Sequence, residues 1–328
     1  MKTLQQPIPS GYGPATTTGD VMRGIDLTGR TAVVTGGYSG LGREAARVLL
    51  EAGARVIVPA RDLERARHQL GGLPVEVRPM DLLDPASIDA FADWFLAEEV
   101  PLHLLINSAG IMASPLKRDA RGYEWQFATN HLGHFQLTLD LLPALRRAHG
   151  ARVVTLSSLG HFYSPVDFDD PNFERREYDP WKGYGQSKTA NILFTVALDA
   201  REKERGIRAF AVHPGSIAGT GLEKYVPQRL LIESGVLDAD GRPIRDPSRY
   251  LKTVEQGAAT GVWCAVSPQL DGMGGVYCEN CDIAALSDFE GEKMIIEDSS
   301  RLTGVKPYAV DPAAAERLWD MSLEMLGR

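Results

Sequence analysis

The chain has 328 residues, 44% of them hydrophobic and 24% charged, the composition of a soluble globular protein long enough to bury a sizeable core. Its net charge of −8 and the lack of any basic block argue against a nucleic-acid or anionic-membrane partner. No apolar run approaches the roughly 18–20 residues needed to span a bilayer. The opening "MKTLQQPIPSGYGP" has no apolar signal region, and the three cysteines suit a reducing compartment, so a cytoplasmic protein is expected.

Residues 1–26, rich in Pro, Gly and Thr, read as an extended arm without a core of its own. "TAVVT" (31–35) is a short β-branched run, the mark of a buried strand, and "LGREAARVLLEAG" then shows helical spacing up to Gly53. The alternation continues through strand "ARVIVPA", helix "DLERARHQL", strand "VEVRPM", helix "PASIDAFADWFLAE" and strand "LHLLIN". A long amphipathic helix is expected over "YEWQFATNHLGHFQLTLDLL". Strand "ARVVTLS", a helix from "YGQSK" to "DAREKE", strand "IRAFAVHPG" and strand "GGVYC" complete the series. Strands alternating with helices imply right-handed βαβ units. The expected fold is therefore α/β: one doubly wound Rossmann-type domain over 27–328, with a parallel sheet of about seven strands and helices on both faces. Residues 216–256 are long and irregular enough to form a lid over a pocket. Near the C-terminus "RLWDMSLEML" reads as an amphipathic helix for the core or a subunit contact.

"TGGYSGLG" (35–42) lies between the first strand and the first helix. Its Gly36, Gly40 and Gly42 permit a tight turn and close approach to a phosphate, where the helix N-terminus offers free N–H groups and a positive dipole end. The spacing is T-G-x-x-x-G-x-G rather than G-x-G-x-x-G. This turn, "NSAG" (107–110), Asn130 in "TNHLGHF", Ser158 in "LSSLGH", "YGQSK" and "HPG" (213–215) stand in the order found in the short-chain dehydrogenase/reductase family, which the chain resembles over most of residues 28–285. "YGQSKTANILF" and the insertion before it are most similar to the retinol-dehydrogenase and WW-domain-oxidoreductase branch.

The resemblance implies a nicotinamide cofactor. Its contacts would be Gly36, Tyr38, Ser39, Gly40, Leu41 and Gly42 in the glycine turn, then Asp81 and Leu82, then Asn107, Ala109 and Gly110, then Pro214, Gly215 and Ile217, together with Tyr184 and Lys188. The family places its ribose-binding acid eighteen residues after Gly42, which here is Ala60, followed by Arg61. A neutral residue and then a guanidinium favour the 2′-phosphate of NADP(H). Asp62 would instead serve the ribose if the register slipped by one, or else cap the next helix. Asp81 is either the adenine-contacting acid of the family or a strand-end cap.

Tyr184 and Lys188 are four apart and so share one helix face. A phenol near pKa 10 is a poor base at neutral pH, and an ammonium one turn away is expected to lower it. Tyr184 would then donate the proton in reduction and accept it in oxidation, while resemblance gives Lys188 the nicotinamide ribose as a second partner. Ser158, at the end of the fifth strand, would hydrogen-bond the substrate oxygen; adjacent Ser157 should point the other way. Resemblance makes Asn130 bend its helix and relay protons through water to Lys188. Ser158 and Tyr184 are twenty-six positions apart rather than the family's dozen or so, so residues 159–182 are an insertion, whose "HFYSP" and Trp181 are candidates for the pocket wall.

The single C-x-x-C of Cys278 and Cys281 is weak as a zinc site and reads as structural thiols. His131 and His134 lack an HExxH context, and without G-x-S-x-G a Ser158–His161 hydrolase pair is disfavoured. His213 reads as a neighbour of the nicotinamide without acid–base work. The expectation is an NADP(H)-dependent oxidoreductase interconverting a small-molecule alcohol and a ketone or aldehyde, without metal. Two rivals are an NADPH-dependent reductase of an activated C=C bond and a non-catalytic dinucleotide-binding regulator. Subunits in this family often pair through two long helices, so a homodimer or homotetramer is allowed.

Overall fold

The computed structural model describes residues 5–289 and 302–328. Its chain order begins with α1 (Thr18–Val21), β1 (Thr31–Thr35), α2 (Gly40–Glu51), β2 (Arg55–Ala60), α3 (Leu63–Leu70), β3 (Glu76–Pro79), α4 (Pro85–Ala97) and β4 (Leu104–Asn107). There follow α5 (Trp125–Phe127), α6 (Gly133–Asp140), α7 (Leu142–Arg147), β5 (Ala151–Leu156), α8 (Pro180–Glu202) and β6 (Ile207–His213). The series ends with α9 (Gln228–Glu233), α10 (Val254–Val266), β7 (Val276–Glu279), β8 (Asp282–Ile283) and α11 (Pro312–Leu326).

The sheet order is β3-β2-β1-β4-β5-β6-β7-β8. β1 to β7 pair in parallel, and β8 closes the edge as a two-residue antiparallel strand that the sequence did not announce. β1 and β4 are buried along their whole length, as strands covered on both faces must be. One apolar layer, built around Phe95, Phe127, Phe135 and Phe194, lies under α4, α6, α8 and α11. The other, with Val34, Val58, Phe210 and Trp263, lies under α2 and α10. Strand order reverses between β1 and β4, so their carboxyl ends part and leave a crevice where ligands of such sheets bind.

Four elements depart from the sequence reading. The arm, described from residue 5, has no core of its own but is not extended throughout. α1 is held by a capping box between Thr17 and Asp20, Val21 and Leu27 join the layer under α2, and the Thr18 hydroxyl donates to Glu44. The expected long helix is broken: α5 runs into a π-helical turn over Ala128–Leu132 before α6 and α7. It is not amphipathic, because α6 is buried on nearly every side. α10 begins inside the expected lid, so the irregular segment ends at Thr253; Thr253 caps the helix in a capping box with Gln256. Finally, residues 180–182 of the expected insertion form the first turn of α8, capped by Asp179.

Candidate active site

A cleft of about 840 Å³ opens at the carboxyl ends of the strands. At one end lies the glycine turn. Gly36 sits at φ 64°, and a Cβ there would stand 3.0 Å from the Cα of Ala109; a Cβ on Gly42 would lie 2.5 Å from the carbonyl oxygen of Gly36. Side chains at either position would force apart the β1–α2 turn or the loop after β4. Ser39 caps α2 in position but without a side-chain hydrogen bond, which leaves the first-turn N–H groups to face the cleft. Such a cradle fits the phosphates of a dinucleotide.

Tyr38, Ser39, Gly40, Leu41, Arg61, Asp81, Leu82, Ala109, Gly110, Pro214, Gly215 and Ile217 all line the cleft, with Ser158, Tyr184 and Lys188. Asp62 caps α3 by accepting from the Arg65 N–H (3.0 Å), which takes its carboxylate to the helix end. Asp81 accepts from the Leu83 N–H (3.0 Å) and stands 3.9 Å from the exposed guanidinium of Arg61. Arg65, which sequence reasoning missed, also borders the cleft, one turn beyond Arg61. Its place in the first turn of "DLERARHQL", just after Arg61, was the available signal.

Asn107 does not line the cleft. Its amide is buried beneath the sheet edge and donates to the hydroxyls of Thr138 and Thr155 (both 3.3 Å), a brace between β4, α6 and β5. Strand alternation explains the outcome, since Asn107 is the last residue of β4 and points to the helix layer. Asn130 is likewise set back. Its Nδ2 donates to the Ile111 carbonyl and to Ser187 Oγ, and its Oδ1 accepts from the Ile111 N–H, all at 2.9 Å. It lies within the π-helical turn. A Cβ on Gly110 would stand 3.1 Å from Asn130 Oδ1 and 3.6 Å from Lys188 Nζ, so both polar atoms converge on that glycine.

Tyr184 and Lys188 occupy one face of α8, and Lys188 Nζ stands 5.6 Å from the centre of the Tyr184 ring. Both are buried, at 4% and 5% exposure. Ser158 accepts from the Gly160 N–H at 3.0 Å, and its Oγ and the Tyr184 ring both stand against Gly160, where a Cβ would lie 3.4 Å and 2.6 Å from them. Ser157 points away, donating to the Lys188 carbonyl (2.9 Å).

The expected acidification of Tyr184 is not found. Burial pushes its phenol up to about 12, only partly offset by the Ser158 side chain. Burial also pulls Lys188 down to about 8, and its ammonium donates to the Leu156 carbonyl (3.0 Å). Desolvation, which penalises both charged forms, outweighs the attraction that sequence spacing suggested. At neutral pH Tyr184 therefore carries its proton.

The far end of the cleft is aromatic. Tyr163 and Trp181 of the insertion lie tilted against each other at 5.4 Å, Trp181 meets Tyr184 edge-on at 6.4 Å, and Tyr225 of the irregular segment meets Trp125 at 6.3 Å. All line the cleft, whereas His161, Phe162, Ser164 and Pro165 of "HFYSP" do not. Gly160 was missed: a Cβ there would strike the Tyr184 ring at 2.6 Å, so its lack of a side chain seats the phenol.

The histidines set aside above are engaged in local hydrogen bonds, though His213 also lines the cleft. His161 donates through Nδ1 to the Ser158 carbonyl (2.7 Å), not to its hydroxyl, and accepts through Nε2 from the Lys306 N–H (3.2 Å). His213 accepts through Nδ1 from Leu159 and Gly215 N–H groups. The three cysteines are free and buried, and among the described residues no cluster of ligating side chains could hold a metal. Among them, too, no helix is long and apolar enough to cross a membrane.

Residues 30–230 match the family model for short chain dehydrogenases. The chain is 44% identical to a "Probable oxidoreductase" of Streptomyces lividans over 310 residues, 92% of this chain and 99% of that protein. It is 37% identical to human "Retinol dehydrogenase 12" over 310 residues, 92% of this chain and 88% of that one. A putative uncharacterized protein from Mycobacterium paratuberculosis superposes with a TM-score of 0.69 at 32% identity, covering 95% of this chain and 98% of that one. RhlG of Pseudomonas aeruginosa, solved with NADP at its active site, gives 0.59 at 26% identity, over 77% of this chain and 95% of its own. Members of this family bind a nicotinamide dinucleotide, and the cradle, the cleft and the Ser158–Tyr184–Lys188 group are where one would act. This chain is an oxidoreductase that belongs to the short-chain dehydrogenase family, in its retinol-dehydrogenase-like branch.

Proposed function

We propose that the chain is an NADP(H)-dependent oxidoreductase that interconverts an alcohol and a ketone or aldehyde, with Tyr184 moving the proton. The observation that carries the reading is the convergence of Ser158, Tyr184 and Lys188 on one wall of the cleft that also holds the glycine cradle. When bound, the nicotinamide supplies or takes up the hydride. Ser158 offers its hydroxyl to the substrate oxygen and steadies the charge that develops there. Tyr184, protonated at neutral pH, gives its hydroxyl proton to that oxygen in reduction and takes the proton back in oxidation. Lys188, tethered to the Leu156 carbonyl, presents its ammonium beside Gly110, and Asn130 approaches the same point as a relay partner. Trp125, Tyr163, Trp181 and Tyr225 suit a mid-sized, partly apolar substrate.

Arg61 and Arg65 support the NADP assignment, since both guanidinium groups border the adenine-ribose end while Asp62 is engaged as a cap. A panel of aldehydes, ketones and alcohols assayed with NADP(H) and NAD(H) tests the whole. Turnover with at least one carbonyl is expected, faster with NADPH. Arg61→Ala should raise KM for NADPH roughly tenfold or more, the loss of a charge-assisted hydrogen bond of about 1.5–3 kcal/mol, and leave KM for NADH nearly unchanged. An unaltered ratio of the two would refute the NADP assignment, and NADPH binding without oxidation by any carbonyl would refute the enzyme reading.

A further inference from the structure

Behind the cleft lies a buried polar cluster that the chemistry above does not use. Lys252 is 1% exposed and does not line the cleft. A buried ammonium persists only where partners replace its water. Its Nζ donates to Asn280 Oδ1 at 2.7 Å. Glu279, Tyr250, Cys281 and His213 surround it, and Glu279 accepts from the Gly304 N–H at 2.8 Å. Asn280 and Cys281 both sit in the left-handed region, at φ 52° and 59°. Two adjacent non-glycine residues there cost about 1–2 kcal/mol each, and the β7–β8 turn they form carries Asn280 to the ammonium.

The other side of Lys252 faces the turn after β6. A Cβ on Gly215 would lie 2.9 Å from Lys252 Cδ and 2.8 Å from the Tyr250 carbonyl oxygen, so the lysine stem is the floor under Gly215. The Ser216 N–H donates to the Tyr250 carbonyl (2.7 Å), and the Lys252 N–H donates to the Ser216 carbonyl (3.1 Å). Arg245 adds a bond to the Lys252 carbonyl at 2.6 Å. The irregular segment thus leaves and rejoins the body at one knot, with Lys252 at its centre.

We propose that Lys252, pinned by Asn280, is a positioning residue: it holds the Pro214–Ile217 turn, and with it the root of the 217–250 segment, at the nicotinamide end of the cleft. The proposal rests on the dinucleotide reading above only for its binding arm. The adenine end, at β1 to β3, lies outside its reach.

Two variants test it. Lys252→Met keeps the stem and removes the ammonium; Asn280→Gly removes the acceptor at a position whose φ suits glycine, and serves if the first variant fails to fold. In hydrogen exchange, the Ser216 and Lys252 amides should exchange at least tenfold faster in either variant while those of β5 do not change. In binding titrations, Kd for NADPH should rise at least tenfold while Kd for adenosine 2′,5′-bisphosphate stays constant. Unchanged exchange at Ser216 and Lys252 would overturn the proposal, as would equal weakening of both ligands. If the unaltered protein binds neither ligand, the dinucleotide reading fails, and hydrogen exchange still decides whether Lys252 anchors the turn.

Discussion

Tyr184 is held as much by its ring as by its hydroxyl. The ring lies over Gly160, edge-on to Trp181, in a pocket that leaves the side chain 4% exposed. Removing the oxygen alone leaves that packing intact. Tyr184→Phe is therefore expected to fold and bind dinucleotide as before, with kcat down by a factor of about 10²–10⁴, the usual share of a general acid. Steady-state kinetics beside a fluorescence titration of NADPH checks this; a variant as active as the parent would remove Tyr184 from the chemistry. The pairing of Tyr184 with Lys188 was legible in the sequence because a spacing of four is a property of the helix alone. Their proton affinities were not, because these depend on what the rest of the chain lays over them: here desolvation raises one and lowers the other.

Among elements, α8 is the helix everything else is built against. From Gly183 to Phe194 every residue is buried, and α11 covers its outer side. Trp319 of α11 packs on Phe135 at 4.9 Å and stacks on Phe194 at 6.2 Å, Arg201 lies over its ring, and Ser322 bonds His131 Nε2 at 2.8 Å. Pairing of subunits through long helices, the arrangement resemblance allowed, would need α11 displaced if it used the outer side of α8. A monomer is therefore predicted, and light scattering of the purified protein checks it. Trp319→Ala should lower stability by about 3–5 kcal/mol, the range for emptying an aromatic core site. A dimer in the unaltered protein, or a variant of equal stability by urea unfolding, would contradict the role given to α11. The same helix was visible in the sequence as an amphipathic stretch; which partner it covers was not, since one apolar face suits a core and a subunit contact equally. α10 escaped notice for the opposite reason. Its residues from Gly257 to Ala265 are all buried, so no polar face marks a helical period.

For the whole molecule, the four most deeply buried histidines, His131, His134, His161 and His213, dominate the response to acid. Carbonyl oxygens can only accept, so His134 and His161 carry their proton on Nδ1; His213 accepts there and carries it on Nε2. Burial pulls His131 down to about 3, His134 and His161 to about 4, and His213 well below its usual value. An unfolded chain protonates the same groups near pH 6.5. Between about pH 6.5 and 4 the unfolded state thus binds more protons at these groups, so their contribution to stability is intact above 6.5 and is lost as pH drops. Each histidine contributes up to about 1.4 kcal/mol per pH unit there. Glu124, Asp140 and Glu279, whose carboxyls burial raises, oppose this but are fewer. Thermal midpoints measured from pH 7.5 down to 4.5 should decline below 6.5; a level profile would show that the histidines are not neutral in the folded state.

Alternating strands and helices, the glycine turn and the order of the motifs were readable along the chain, because side-chain periodicity and turn chemistry act over a few neighbouring residues. The π-helical turn at Asn130, the inward Asn107, the seat that Gly160 makes for a phenol and the knot at Lys252 emerged only once distant segments met. Each depends on packing and desolvation between residues far apart in the chain, and no local pattern carries that information.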